Sequence, residues 1–74
     1  MTRSSRFPGG TLIVRSSPVK PEDGGYAVGS RFSSYDVEAS LRLNAFDIGM
    51  TFVDRAGVVW RVVNGKHHQI LVRI

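Results

Sequence analysis

Hydrophobic and polar positions are patterned most clearly at the C-terminal end of the chain. Met50-Thr51-Phe52-Val53-Asp54, Val58-Val59-Trp60-Arg61-Val62 and Lys66 to Ile74 are rich in β-branched and aromatic residues, with short glycine-containing breaks between them. They predict a three-stranded meander. Arg55-Ala56-Gly57 fits a three-residue hairpin loop ending on a left-handed glycine, and Val63-Asn64-Gly65 fits the same scheme. With these loops Asp54 faces Val58, Phe52 faces Trp60 and Met50 faces Val62 across the first hairpin. Across the second, Val62 faces Lys66, Trp60 faces His68 and Val58 faces Ile70. One face then carries Met50, Phe52, Val58, Trp60, Val62, Ile70, Val72 and Ile74. A two-residue Asn64-Gly65 turn would shift the second pairing by one and send Ile70, Val72 and Ile74 to the face opposite Trp60, so burial favours the longer loop.

Upstream, Tyr35-Asp36-Val37-Glu38-Ala39-Ser40-Leu41-Arg42-Leu43 alternates apolar and polar, the period of a strand. A helix capped by Ser34, with Glu38 and Arg42 spaced for an ion pair, is the alternative. At 100° per residue the five apolar side chains scatter around the axis, so the strand reading is preferred. Thr11 to Arg15 and Tyr26 to Phe32 complete a set of about six short strands. The expected fold is all-β, a small antiparallel barrel or sandwich. Residues 1–10 read as an extended basic arm and residues 11–74 as one small domain, interrupted by the turn-rich stretch from Ser16 to Gly25.

Composition narrows the classes. The 74 residues include no cysteine, which removes disulfide staples, thiolate zinc sites and thiol catalysis. No apolar run approaches the roughly 18 residues needed to span a bilayer, and Arg15 interrupts Leu12-Ile13-Val14 before it resembles a secretory signal. A cytoplasmic or particle-associated protein without a membrane partner is expected. The formal charge of +4 is unevenly placed: residues 1–20 carry +4, residues 21–54 carry −4 and residues 55–74 carry +4. Basic ends and an acidic middle can attract one another within a fold or between copies.

Candidate chemistry is sparse. His67 and His68 are adjacent, so on a strand they point to opposite faces and cannot chelate one metal. Serines fall in turn and linker contexts, and no nucleophile, base and orienting group are marked out together. The Gly9-Gly10 and Gly24-Gly25 pairs lack the spacing and the following Lys-Ser/Thr of a phosphate loop. No enzyme, cofactor, metal or small-molecule ligand is expected. Instead, the meander face opposite Trp60 would show Val53, Val59, Val63 and Leu71 interleaved with Arg61, Gln69 and Arg73, a mixture suited to a protein interface.

A domain this small removes only about 60% of its surface from water, so association would help it. The expected function is therefore a non-enzymatic structural subunit of a larger assembly, of the decoration or connector type found in virus or phage particles. It would dock through Val59, Arg61, Leu71 and Arg73, with Arg3, Arg6 and Phe7 of the arm reaching over a neighbour. The partner is a protein or a second copy. A small barrel that binds nucleic acid through the arginines is the second reading, and an inhibitor of a host protein the third.

Overall fold

A computed structural model describes residues 9–74. The residues Arg3, Arg6 and Phe7, and most of the expected arm, lie outside this range. Five strands form one antiparallel sheet: β1 (Thr11–Ser16), β2 (Arg31–Ser33), β3 (Thr51–Val53), β4 (Val59–Asn64) and β5 (Gln69–Arg73), in the spatial order β2-β1-β3-β4-β5. One helix, α1 (Ser34–Arg42), connects β2 to β3. The protein is thus mostly β, but its sheet is open: β2 and β5 are its two edges, and it does not close into a barrel.

The expected strand over Tyr35 to Leu43 is a helix, and local chemistry explains why. Ser33, one residue before the expected cap, accepts the Asp36 backbone N–H on its Oγ at 3.1 Å, satisfying one of the free donors of the first turn. Glu38 and Arg42 form an ion pair of 3.0 Å on the outer surface. Val37 and Leu41, four apart, are buried in the core, and this single pair seats the helix on the sheet. The strand expected over Tyr26 to Phe32 shortens to Arg31–Ser33. Tyr26 lies in the preceding loop, where its ring packs edge-on against Phe32 and Phe46, with centroids 5.7 and 5.4 Å away.

The first hairpin of the meander forms as its sequence dictates. Phe52 pairs with Trp60, Asp54 N–H donates to Val58 O, and Gly57 closes the loop at φ 86°. The second hairpin differs. Trp60 pairs with Arg73 and Val62 with Leu71, where the sequence argument had His68 and Lys66. The chain reverses later, at Lys66-His67, where the Gly65 N–H donates to His68 O at 2.9 Å. Neither Asn64 nor Gly65 has the positive φ that an Asn-Gly turn requires. Gly65 is needed for space: a Cβ there would sit 2.5 Å from His68 O and 2.8 Å from Ile70 Cγ2.

That change of parity turns β5 over. Leu71, expected outside, is a core residue at 1% exposure, whereas Val72 and Ile74 are 36% and 63% exposed. The core gathers Leu12, Val14, Met50, Phe52, Trp60, Val62 and Leu71 from the sheet and its borders against Val37 and Leu41 of α1 and Phe46 beyond it. Gln69 sets the parity. Its buried side-chain amide pairs with both backbone groups of Phe46, accepting the N–H at 3.1 Å and donating to the carbonyl at 2.7 Å. Its own N–H donates to Asn44 Oδ1 at 2.9 Å. Because Gln69 must face the segment after α1, Leu71 faces the core with it and Ile70 and Val72 face away.

Candidate interaction site

Helix α1 and the segment after it cover one side of the sheet. Among the described residues no helix and no second sheet lies against the other side. The register builds this uncovered side row by row. Arg31 pairs with Ile13, Ile13 with Val53 and Val53 with Val59, and the Ile74 N–H donates to Val59 O at 3.1 Å. The result is an aliphatic row from β1 through β3 and β4 to Ile74 at the end of β5, with Arg31 of β2 at its other end. The next row is Ser16, Thr51, Arg61 and Val72, in which Ser16 Oγ and Thr51 Oγ1 share a hydrogen bond of 2.6 Å. Val63 and Ile70 form a third.

Of the residues assigned to an interface from sequence, Val59 and Arg61 lie on this side, half-buried and exposed respectively. Leu71 does not, because β5 is turned over. Arg73 is exposed but pairs with Trp60 on the opposite side of the sheet. The structure replaces these two with Ile70, Val72 and Ile74 and, beside Val53, extends the patch through Ile13. The sequence signal for Ile13 is its place between the two core residues Leu12 and Val14 in a strand.

Arg73 belongs instead to a rim cluster around Asp54. One Asp54 oxygen accepts the backbone N–H groups of Ala56 and Val58, each at 2.9 Å, and the other accepts the Trp60 indole N–H at 3.0 Å. These bonds hold the carboxyl below the usual carboxylate range. The indole contributes most, the two backbone donors and the charge of Arg73 add to it, and partial burial opposes it. A group with a lowered folded pKa contributes stability above its unfolded value of about 4, which is lost as pH falls through the folded value. Asp54→Asn keeps the two backbone bonds but points an amide donor at the indole donor. The variant should lose about 1 kcal/mol at neutral pH, and its stability should fall less steeply than the wild type's below pH 4, followed by urea melts with Trp60 fluorescence.

The cleft beside this hairpin, about 400 Å³, is lined by Gly9, Asp54, Arg55 and Ala56 and sets no nucleophile against a base. Among the described residues, no three His, Cys, Asp or Glu side chains are grouped to hold a metal. His67 is exposed in the β4–β5 turn, and His68 Nδ1 is 2.7 Å from Gln69 O. No helix of the described residues is long and apolar enough to cross a membrane. No family model matches the chain, and comparison with curated proteins and with solved structures finds no match.

Proposed function

We propose that this protein is a non-enzymatic docking subunit that binds another protein through the uncovered face of its sheet. The observation that supports this reading is the aliphatic row Ile13, Val53, Val59 and Ile74, which runs from β1 through β3 and β4 to the end of β5 and has no helix or second sheet over it among the described residues. The row lies outside the core cluster, and an apolar face without a covering layer on a small domain commonly marks an interface. Arg31 and Arg61 punctuate the patch, so the fitting partner surface is flat and aliphatic, with a carboxylate placed for each guanidinium. A subunit of a larger particle is the setting in which such a domain would work.

Stacking of nucleic-acid bases has less support on this face. Tyr26, Phe32, Phe46, Phe52 and Trp60 pack on the core side, and Tyr35 lies on α1, so no aromatic of the described residues sits on the uncovered side.

The test is capture of the native partner with wild-type protein, its identification, and reassembly of the complex from the two purified components. Val72→Asp combined with Ile74→Asp should abolish the complex while leaving the circular dichroism spectrum intact. A pair of variants that binds as tightly as wild type excludes the sheet face as the docking surface.

A further inference from the structure

Helix α1 has a second apolar stripe. Val37 and Leu41 face the core, while Tyr35, Ala39 and Leu43, also spaced by four, centre about 180° around the axis from them. Tyr35 is 82% exposed and Leu43, the residue closing the helix, is 78% exposed. Beside the stripe runs a groove of about 260 Å³ lined by Tyr35, Asp36, Glu38, Ala39 and Arg42.

The stripe is symmetric about its middle. Tyr35 and Leu43 are each four residues from Ala39, so a second helix laid antiparallel with Ala39 against Ala39 brings Tyr35 of each copy level with Leu43 of the other. The small central side chains allow close approach of the two axes. The charges repeat the symmetry: Glu38 and Arg42 flank the same side of the stripe, and antiparallel placement sets Arg42 of each copy beside Glu38 of the other. Their present ion pair is exposed on both sides, and such pairs contribute little, so it is readily shared. The helix dipoles also oppose one another favourably. A two-fold contact needs a patch complementary to itself, and antiparallel placement meets this here, with apolar ends against apolar ends and Arg42 beside Glu38.

We propose that α1 is a self-association face through which two copies of this chain pair antiparallel, with the two-fold axis at Ala39, Tyr35 against Leu43 at both ends and Leu43 seated in the groove beside Tyr35. Nine helical residues present less than the roughly 1,200 Å² of a stable interface. The dimer is therefore weak and forms with rising concentration or when a particle holds the copies close. It uses the side of the molecule away from the sheet face and stands independently of the docking function.

Sedimentation equilibrium of the full chain, from low micromolar to millimolar concentration, tests it. Wild type should show a monomer–dimer equilibrium. Ala39→Glu, at an exposed position, should weaken it at least tenfold, and Arg42→Glu should act in the same direction. Val72→Asp, on the sheet face, should leave it unchanged. The chain has no cysteine of its own, so register can be read directly: under mild oxidation, Tyr35→Cys mixed with Leu43→Cys should cross-link as a heterodimer faster than Asp36→Cys mixed with Leu43→Cys. A wild-type protein that stays monomeric at millimolar concentration overturns the proposal. So does a dimer that Ala39→Glu leaves intact, or one that Val72→Asp destroys.

Discussion

Leu71→Asp should unfold the protein, and Val72→Asp, one residue along, should not. Leu71 is 1% exposed, pairs with Val62 and packs in the single core, so the substitution removes a buried side chain worth about 2–3 kcal/mol. It also leaves a carboxylate without a partner in that core, which costs several kcal/mol more. A chain of 74 residues has about 4–11 kcal/mol of total stability, so the sum meets or exceeds what is available. Leu71→Ala, with only the cavity to bear, should cost about 2–5 kcal/mol and leave a folded protein with a lowered melting temperature. Val72 stands on the uncovered side at 36% exposure and its replacement should move the melt little. Circular dichroism melts of the three variants check the parity of β5 directly. Equal tolerance of Asp at both positions would contradict the register.

Gln69→Leu should cost about 2–4 kcal/mol although it makes the core more apolar. The side chain it replaces serves both backbone groups of Phe46, and leucine leaves a buried N–H and a buried carbonyl without partners. Gln69→Glu separates the two bonds. An ionised glutamate still accepts the Phe46 N–H but sets a negative oxygen against the Phe46 carbonyl, whereas the protonated acid can accept with one oxygen and donate with the other. The folded state therefore raises the pKa of the new carboxyl above its unfolded value of about 4.3. The stability so gained is full below that value and disappears as pH rises through the folded pKa. Urea melts of Gln69→Glu should show a loss at neutral pH that narrows in acid, while the loss in Gln69→Leu stays constant against wild type over the same range.

The two hairpins show where a sequence carries its own answer. Asp54, the Arg55-Ala56-Gly57 loop and the Phe52–Trp60 pair are set by backbone chemistry within nine residues, and that hairpin is legible. The second depends on Gln69 meeting Phe46, a contact 23 positions away that no local pattern announces. Burial cannot decide between its two parities, because Ile70, Val72 and Ile74 are as apolar as Leu71 and one side of the sheet has no covering layer among the described residues. The interface shared this fate: Val59 and Arg61 follow from the legible hairpin, while Leu71 and Arg73 inherited the wrong parity. Helix α1 was hidden by the same kind of symmetry. Two apolar stripes on nearly opposite sides of a helix, Val37/Leu41 and Tyr35/Ala39/Leu43, interleave in sequence as strict alternation, and alternation is the signature of a strand.

The position of β1 bears on how the protein is made. It is the first strand of the described residues but lies between β2 and β3, and its bond from Ser16 to Thr51 spans 35 residues. The meander β3-β4-β5 closes through short local loops, so it can assemble early, whereas β1 must wait for a partner synthesised much later. Until Thr51–Val53 leaves the ribosome, Leu12-Ile13-Val14 has only the three residues of β2 to pair with. Until then one side of β1 stays an open, apolar strand edge, a segment prone to wrong pairing while the chain is being made.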